Sequence, residues 1–207
     1  MLCPLATLSN TSVILPKSFY QRPTVEVAKD LLGKFLVREV EDGSVRKGMI
    51  VETEAYLGPE DLACHSSKGR TERTEVMFGP AGHAYIYLVY GMHYMFNIVT
   101  KAPGEAVLVR ALQPLSVDSE LNSEITKAPE DPRIAAGPGK LTAWLAVDKN
   151  LNSCDLVQKD KLWVEAGCKM NFEIEKGKRI GVDYAKEWAE KPLRFYIENN
   201  PAVSKVS

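Results

Sequence analysis

Apolar and polar residues alternate along the chain in short blocks, broken by Gly, Pro and Asn. Phe35 to Val40 and Arg46 to Tyr56 read as strands, joined by Glu41-Asp42-Gly43-Ser44 as a turn. Ala84 to Thr100 is rich in aromatic and β-branched residues and is interrupted only at Gly91-Met92. That pair suits a two-residue hairpin turn with Gly in the first central position. Glu105 to Leu112 predicts a further strand, stopped by Pro114.

Helical spacing is scarcer. Thr24 to Leu32 carries Val25, Ala28, Leu31 and Leu32 on one stripe, starts after Pro23 and ends at Gly33. Ser116 to Lys127 reads as a solvent-facing helix, and Lys140 to Val147 as a buried one entered through Gly137-Pro138-Gly139. Short strands and loops follow, then Tyr184 to Ala189 as a helical turn and Leu193 to Ile197 as a last strand. Strands and helices do not alternate regularly. The order therefore predicts an α+β fold: a single compact domain with an antiparallel mixed sheet, a protruding β-hairpin and surrounding short helices. Residues 1–18 read as a partly ordered lead-in to a domain over 19–207. No repeat or long flexible linker divides the chain.

Composition narrows the classes. With 207 residues the chain can bury a continuous core. Its net charge of −1 does not announce a nucleic-acid binder, so any DNA-binding face has to come from local clustering of Lys and Arg. Four cysteines without a CxxC pair, and three histidines, argue against a structural metal and for reduced thiols inside a cell. No metal and no cofactor are expected. No apolar run is long enough to cross a bilayer. The first 15 residues lack the early positive charge and apolar stretch of a secretory signal; they also lack acids and contain Ser and Thr, which leaves an organellar address open.

Chemistry concentrates in two stretches. In Val51-Glu52-Thr53-Glu54-Ala55-Tyr56-Leu57-Gly58-Pro59, a strand puts Glu52, Glu54 and Tyr56 on one side. Alone, such a face reads as solvated acids; running into Gly58-Pro59, it also suits a strand end delivering polar groups to a cleft. Two neighbouring carboxylates, if buried, raise the pKa of at least one of the pair. His65 follows, and with Tyr56 it offers faces that can hold a planar ring. In the hairpin, Tyr85 and Tyr87 share one face. Tyr90, Met92 and His93 sit at the tip, where an apolar wedge either separates base pairs in a minor groove or meets another protein. Lys68, Arg70 and Arg73, then Lys101 and Arg110, supply positive charge nearby, and Lys140 stands at a helix start suited to a phosphate.

Taken together, the sequence resembles the alkyladenine (3-methyladenine) DNA glycosylase family. The resemblance lies in Glu52-Thr53-Glu54-Ala55-Tyr56-Leu57-Gly58-Pro59-Glu60-Asp61 with His65, in Tyr85 through Asn97, and in Val109-Arg110-Ala111-Leu112 with Pro114. It continues through Gly137-Pro138-Gly139-Lys140-Leu141, Arg179-Ile180-Gly181-Val182, and Trp188 through Tyr196. Each stretch alone is weak; six in order are specific. The resemblance implies that Glu54 deprotonates a water for attack on C1′ of the sugar. It further implies that Tyr56, His65 and Tyr87 stack around a flipped base, and that Tyr90 fills the gap in the duplex. Arg110 would help to hold the water and a phosphate, and Asn97 would exclude guanine through its exocyclic amine. The substrate implied is damaged double-stranded DNA, acted on by a monomer in a DNA-containing compartment such as a bacterial cytoplasm or a nucleus.

Three further expectations follow. A base alkylated on a ring nitrogen is cationic, leaves readily and is favoured by aromatic faces. No Lys lies between Gly48 and Ser67, so a monofunctional hydrolysis fits better than a Schiff-base route. Two-residue pairing at the turn sets Phe96 opposite Tyr87 and turns Asn97 away, so an irregularity is expected near Met95–Asn97. At the tip, His93 and Tyr94 stand where the family often has a further aromatic, so contacts of the wedge differ there. Two other readings use the same residues: a glycosidase for small nucleosides or sugars with Glu52 and Glu54 as an acid/base pair, and a nucleic-acid-binding module without catalysis.

Overall fold

The computed structural model describes residues 13–115, 131–167 and 171–204. Two short helices, α1 (Lys17–Tyr20) and α2 (Thr24–Asp30), lead into β1 (Phe35–Glu39) and β2 (Val45–Leu57). Then come β3 (Ala84–Val89), β4 (His93–Val99), β5 (Glu105–Leu115) and α3 (Pro138–Trp144). The remaining strands are β6 (Leu162–Glu165), β7 (Ile174–Gly177) and β8 (Arg194–Ile197). Residues 1–12 of the expected lead-in, and the helix expected over Ser116–Lys127, lie outside the described residues. Before α1 the chain already joins the fold: Ile14 bridges to Glu165, and the Leu15 N–H donates to Val164 at 2.9 Å.

The eight strands form one antiparallel sheet in the order β3-β4-β5-β2-β1-β6, with β8 pairing both β2 and β7. The expected α+β class holds. At 13 residues, β2 is long enough for its first half to pair β1 while Glu52–Glu54 pair β8; β5 runs along its other edge. The middle of β2 therefore has neighbours on both sides. Helix α2 covers it: Val27, Ala28 and Leu31 are buried, and the Thr53 hydroxyl donates to the Ala28 carbonyl at 2.8 Å. Fully burying each aliphatic side chain of this kind contributes about 1.5–3 kcal/mol.

Two strands depart from expectation. β5 does not stop before Pro114 but continues to Leu115, with Pro114 opposite Gly48. Beyond Leu108, β5 no longer pairs β4, so the proline's missing N–H falls on an edge that has no ladder to satisfy. The hairpin also differs. Val89 stands opposite His93 and Tyr87 opposite Met95, so the loop has three residues, Tyr90, Gly91 and Met92. Tyr90 and Gly91 both take positive φ (53° and 69°), and the Met92 N–H closes the turn on Val89 at 3.1 Å. The ladder from Ala84 to Ile98 is then regular, with no bulge near Met95–Asn97. The extra loop residue makes the register shift by itself, and it sets Asn97 directly opposite Tyr85 on the face of Tyr87.

Helix α3 starts at Pro138, earlier than the expected Lys140, and ends at Trp144 rather than Val147. Pro at the first helical position costs no hydrogen bond, because that N–H has no partner within a helix. The helix braces the hairpin. The Thr142 hydroxyl donates to the Tyr94 carbonyl at 2.9 Å, and a Cβ on Gly139 would stand 3.0 Å from the His93 ring. Only glycine leaves that approach open. The expected helical turn at Tyr184 is a 3-10 segment over Asp183–Trp188, kinked at Lys186, whose φ is 52°.

Candidate active site

β2 delivers Glu52, Glu54 and Tyr56 to one face, and β5 delivers Arg110 opposite them. The β2–β5 register slips between Ile50 and Thr53, and Arg110 is left out of the paired ladder there. Such irregularities re-aim side chains, and this one turns Arg110 toward both acids. Its Nε lies 3.3 Å from Glu52 and its Nη1 lies 3.2 Å from Glu54. Burial pulls the Arg110 guanidinium down, but Glu54 and Glu52 outweigh it and hold the group above its ordinary value.

Glu54 is wholly inaccessible to solvent, yet each of its carboxylate oxygens has a donor. Its Oε2 accepts from the Tyr56 hydroxyl at 2.8 Å, and its Oε1 accepts from the Ile180 N–H at 2.8 Å while facing Arg110. The solvated-acid reading of this face is therefore overturned. The carboxylates do not stand alone in repulsion either, since Arg110 lies between them and Arg194 holds Glu52 at 2.6 Å. A buried charge survives when it is paired and hydrogen-bonded in this way.

In front of Glu54 lies a cleft of about 520 Å³. Tyr56, Arg110 and Ile180 line it, and each also reaches back to Glu54. The acid thus sits directly behind the cleft floor. His65, Tyr85, Tyr87 and Asn97 line the same space. The His65 and Tyr87 ring centroids are 4.4 Å apart at 65°, and His65 Nδ1 is bonded to the Tyr85 hydroxyl at 2.9 Å. A planar ring inserted between two others needs about 7 Å. His65 and Tyr87 therefore leave no slot for a planar ring between them and form a single wall of the cleft. Asn97 is buried, its Nδ2 donating to the Tyr85 carbonyl at 3.1 Å.

Burial keeps the ionisable rings of the wall neutral. Burial, helped by Arg73 and Lys68, brings the His65 pKa down to about 4, so the ring is neutral at ordinary pH. Burial pushes Tyr85 up to about 12 and raises Tyr56 and Tyr87 further. All these rings face the cleft uncharged. Arg73 lies over the Tyr87 ring, 5.1 Å from its centroid.

The rest of the site was not singled out in the sequence. Asp61 and Arg179 form a buried bidentate pair (2.5 and 2.8 Å), and Arg179 also donates to the Ala55 carbonyl at 3.0 Å. That pair clamps the segment carrying Ile180, Val182 and Tyr184 against β2. Tyr184 is 68% exposed and lines the cleft mouth. Asp61 and Arg179 each lie in a stretch that the sequence brought forward; their pairing across 118 residues was not visible there.

Of the residues expected to meet DNA, Tyr90 is 89% and Met92 71% exposed at the hairpin tip, with Tyr90 on the rim of the cleft. His93 is exposed and packs on Gly139. Lys140 is exposed on α3 but does not line the cleft, where Pro138 represents that segment. Among the described residues, Cys64 and Cys154 are free thiols, and no three His, Cys, Asp or Glu side chains gather as a metal site. No described helix is long and apolar enough to cross a membrane.

Residues 18–201 match the family model described as methylpurine-DNA glycosylase (MPG). A protein of Legionella pneumophila (strain Corby) named "Putative 3-methyladenine DNA glycosylase" is 50% identical over 194 residues, which cover 92% of this chain and 98% of the relative. A protein of the same name from Methanocella arvoryzae is also 50% identical over 194 residues (93% and 96%). Another, from Alkaliphilus oremlandii, is 45% identical over 201 residues (92% and 98%).

Proposed function

The chain belongs to the methylpurine-DNA glycosylase family, and from that premise we propose that Glu54 activates the water which releases a damaged purine from duplex DNA. The chain is a monofunctional DNA glycosylase of base excision repair, a hydrolase of N-glycosyl bonds. One observation carries the assignment of Glu54: a fully buried carboxylate, held by three donors that themselves face an aromatic cleft.

A carboxylate has about four lone-pair sites. On Oε2 only one is taken, by Tyr56, which leaves that atom to receive a proton. Water placed between Arg110 and Oε2 attacks C1′ of the sugar. A new C1′–O bond forms, the C1′–N bond breaks with its electron pair going to the base, and the water's proton passes to Glu54. An alkylated purine arrives as a cation and departs neutral, so it needs no proton donor. Among the described residues, the lining of the cleft contains no lysine, which supports hydrolysis without a Schiff base.

The flipped purine stacks between Tyr56 and the His65–Tyr87 wall. Asn97, fixed by its bond to Tyr85, faces the base edge and rejects guanine by its exocyclic amine. Tyr90 enters the stack in place of the flipped nucleotide, with Met92 and His93 beside it, and Lys140 meets the phosphates. The proposed reaction calls on no residue of a second chain, and the enzyme acts as a monomer in whichever compartment holds the DNA. Glu52 has no part in proton transfer to substrate: Arg194, Arg110 and the Ser204 N–H occupy it behind the floor. The small-nucleoside reading, which needs Glu52 as the acid, loses its support.

The test compares duplex DNA carrying one ethenoadenine or hypoxanthine, methylated duplex DNA, and the matching free nucleosides, with borohydride present. The expected result is base release from at least one of the duplexes, an intact strand until alkali is added, and no trapped adduct. Release from nucleosides alone would contradict the reading.

A further inference from the structure

Glu52 touches no part of the cleft, yet it is fully buried two residues from Glu54. Its Oε2 accepts from the Ser204 N–H at 2.8 Å, and its Oε1 holds Arg194 Nε at 2.6 Å. The same Oε1 lies 3.3 Å from Arg110 Nε, but that N–H makes no directed hydrogen bond among the described residues. Arg110 is thus held largely by charge, with Glu52 on one side and Glu54 on the other. Two carboxylates and two guanidiniums balance within this buried cluster. Where Arg110 rests is set by how strongly each carboxylate draws it.

We propose that Glu52 is a positioning residue that divides Arg110 between two carboxylates and so leaves Glu54 free to take the water's proton. The proposal rests on the assignment of Glu54 as the base. From β5 Glu54 faces Arg110, from its own strand Tyr56, from β3 Tyr87 and from β8 Arg194, its partner in the ladder; Arg179 stands before the segment that donates through Ile180. Arg179 is committed to Asp61 by two hydrogen bonds. Arg110 is the cation whose allegiance can change. With Glu52 neutral, Arg110 commits to Glu54, and a carboxylate more tightly paired with a cation is a weaker base. With Arg194 neutral, Glu52 draws Arg110 the other way and leaves Glu54 more basic.

The two substitutions therefore have opposite signs, which a merely scaffolding role does not produce. The experiment is the pH dependence of single-turnover base release from a lesion-bearing duplex, for the native protein, Glu52→Gln, Arg194→Gln and Glu54→Gln. In Glu52→Gln the acid limb moves to lower pH by about half a pH unit or more, and the plateau rate falls about tenfold. Its duplex affinity stays within about threefold of native, the mark of a step after binding. In Arg194→Gln the acid limb moves to higher pH. Limbs that stay in place, or that move the same way in both variants, overturn the proposal. If Glu52→Gln does not fold, Arg194→Gln decides alone: an upward limb supports the proposal and an unmoved one overturns it. Activity retained in Glu54→Gln would instead overturn the assignment of the base, and is a separate outcome.

Discussion

The Tyr56 hydroxyl donates to Oε2 of Glu54 at 2.8 Å, from a ring that lines the cleft to an acid that lies behind it. In the proposed site one residue thus serves both the wall that would hold the base and the carboxylate that would activate the water. Tyr56→Phe separates the two, because it keeps the ring and removes the donor. A hydrogen bond to a charged group contributes about 1.5–3 kcal/mol. Single-turnover excision is expected to fall by at least about tenfold, with affinity for lesion-bearing duplex within about threefold. Equal losses in binding and rate would show the hydroxyl to be a binding group only.

The Asp61–Arg179 pair fixes the segment that supplies the Ile180 N–H to Glu54. Asp61→Asn leaves a buried guanidinium without its counter-charge. Breaking a buried pair on one side costs about 3–5 kcal/mol. Denaturant unfolding is expected to report a loss of that order, and excision at a temperature where the variant is folded is expected to be slower than native. A variant as stable as the native protein would remove the pair from this account.

The hairpin tip is expected to behave in the opposite way. Tyr90 and Met92 are exposed and bury nothing in the protein's own core. Tyr90→Ala is expected to leave stability within about 0.5 kcal/mol and to weaken lesion-duplex binding by about tenfold or more, since a stacked aromatic is worth about 1–3 kcal/mol. Thermal melts and a binding titration at fixed salt check both halves. A destabilised variant with native binding would contradict the wedge.

His65 supplies a pH prediction. Its folded pKa of about 4 lies below the ordinary value of 6.5, chiefly through burial. Between those values the unfolded chain binds more protons than the folded one, so this group's contribution to stability is lost as pH falls from about 6.5 toward 4. The His65 ring resonances are expected to show no titration from pH 8 to pH 5.5. A midpoint near 6.5 would mean that the ring is solvated.

Strands were readable where apolar, β-branched and aromatic residues run between turn signals: β1, β2, β3 and β4 lie where those runs placed them, because such side chains pack well on a pleated sheet. The register of the hairpin was not readable. It depends on Tyr90 taking positive φ, a conformation that a tyrosine side chain does not advertise. Pro114 stopped the strand on paper because its neighbourless edge is a property of the sheet, not of the local sequence. The candidate site shows the same division. Glu54 and Tyr56 were legible as a pair on one face. Their burial was not, because it depends on β8 pairing from 140 residues further along and on the Glu52–Arg194 contact across 142 residues. The Asp61–Arg179 clamp was hidden for the same reason.

The most direct measurement is single-turnover base release by Glu54→Gln beside its binding to the same lesion-bearing duplex. Gln keeps the size of the side chain and its acceptor oxygen while removing the base. The account predicts native-like duplex binding with excision slower by at least about a hundredfold, the scale of a lost general base. Excision within a few-fold of native, in a variant that binds and folds normally, would contradict it.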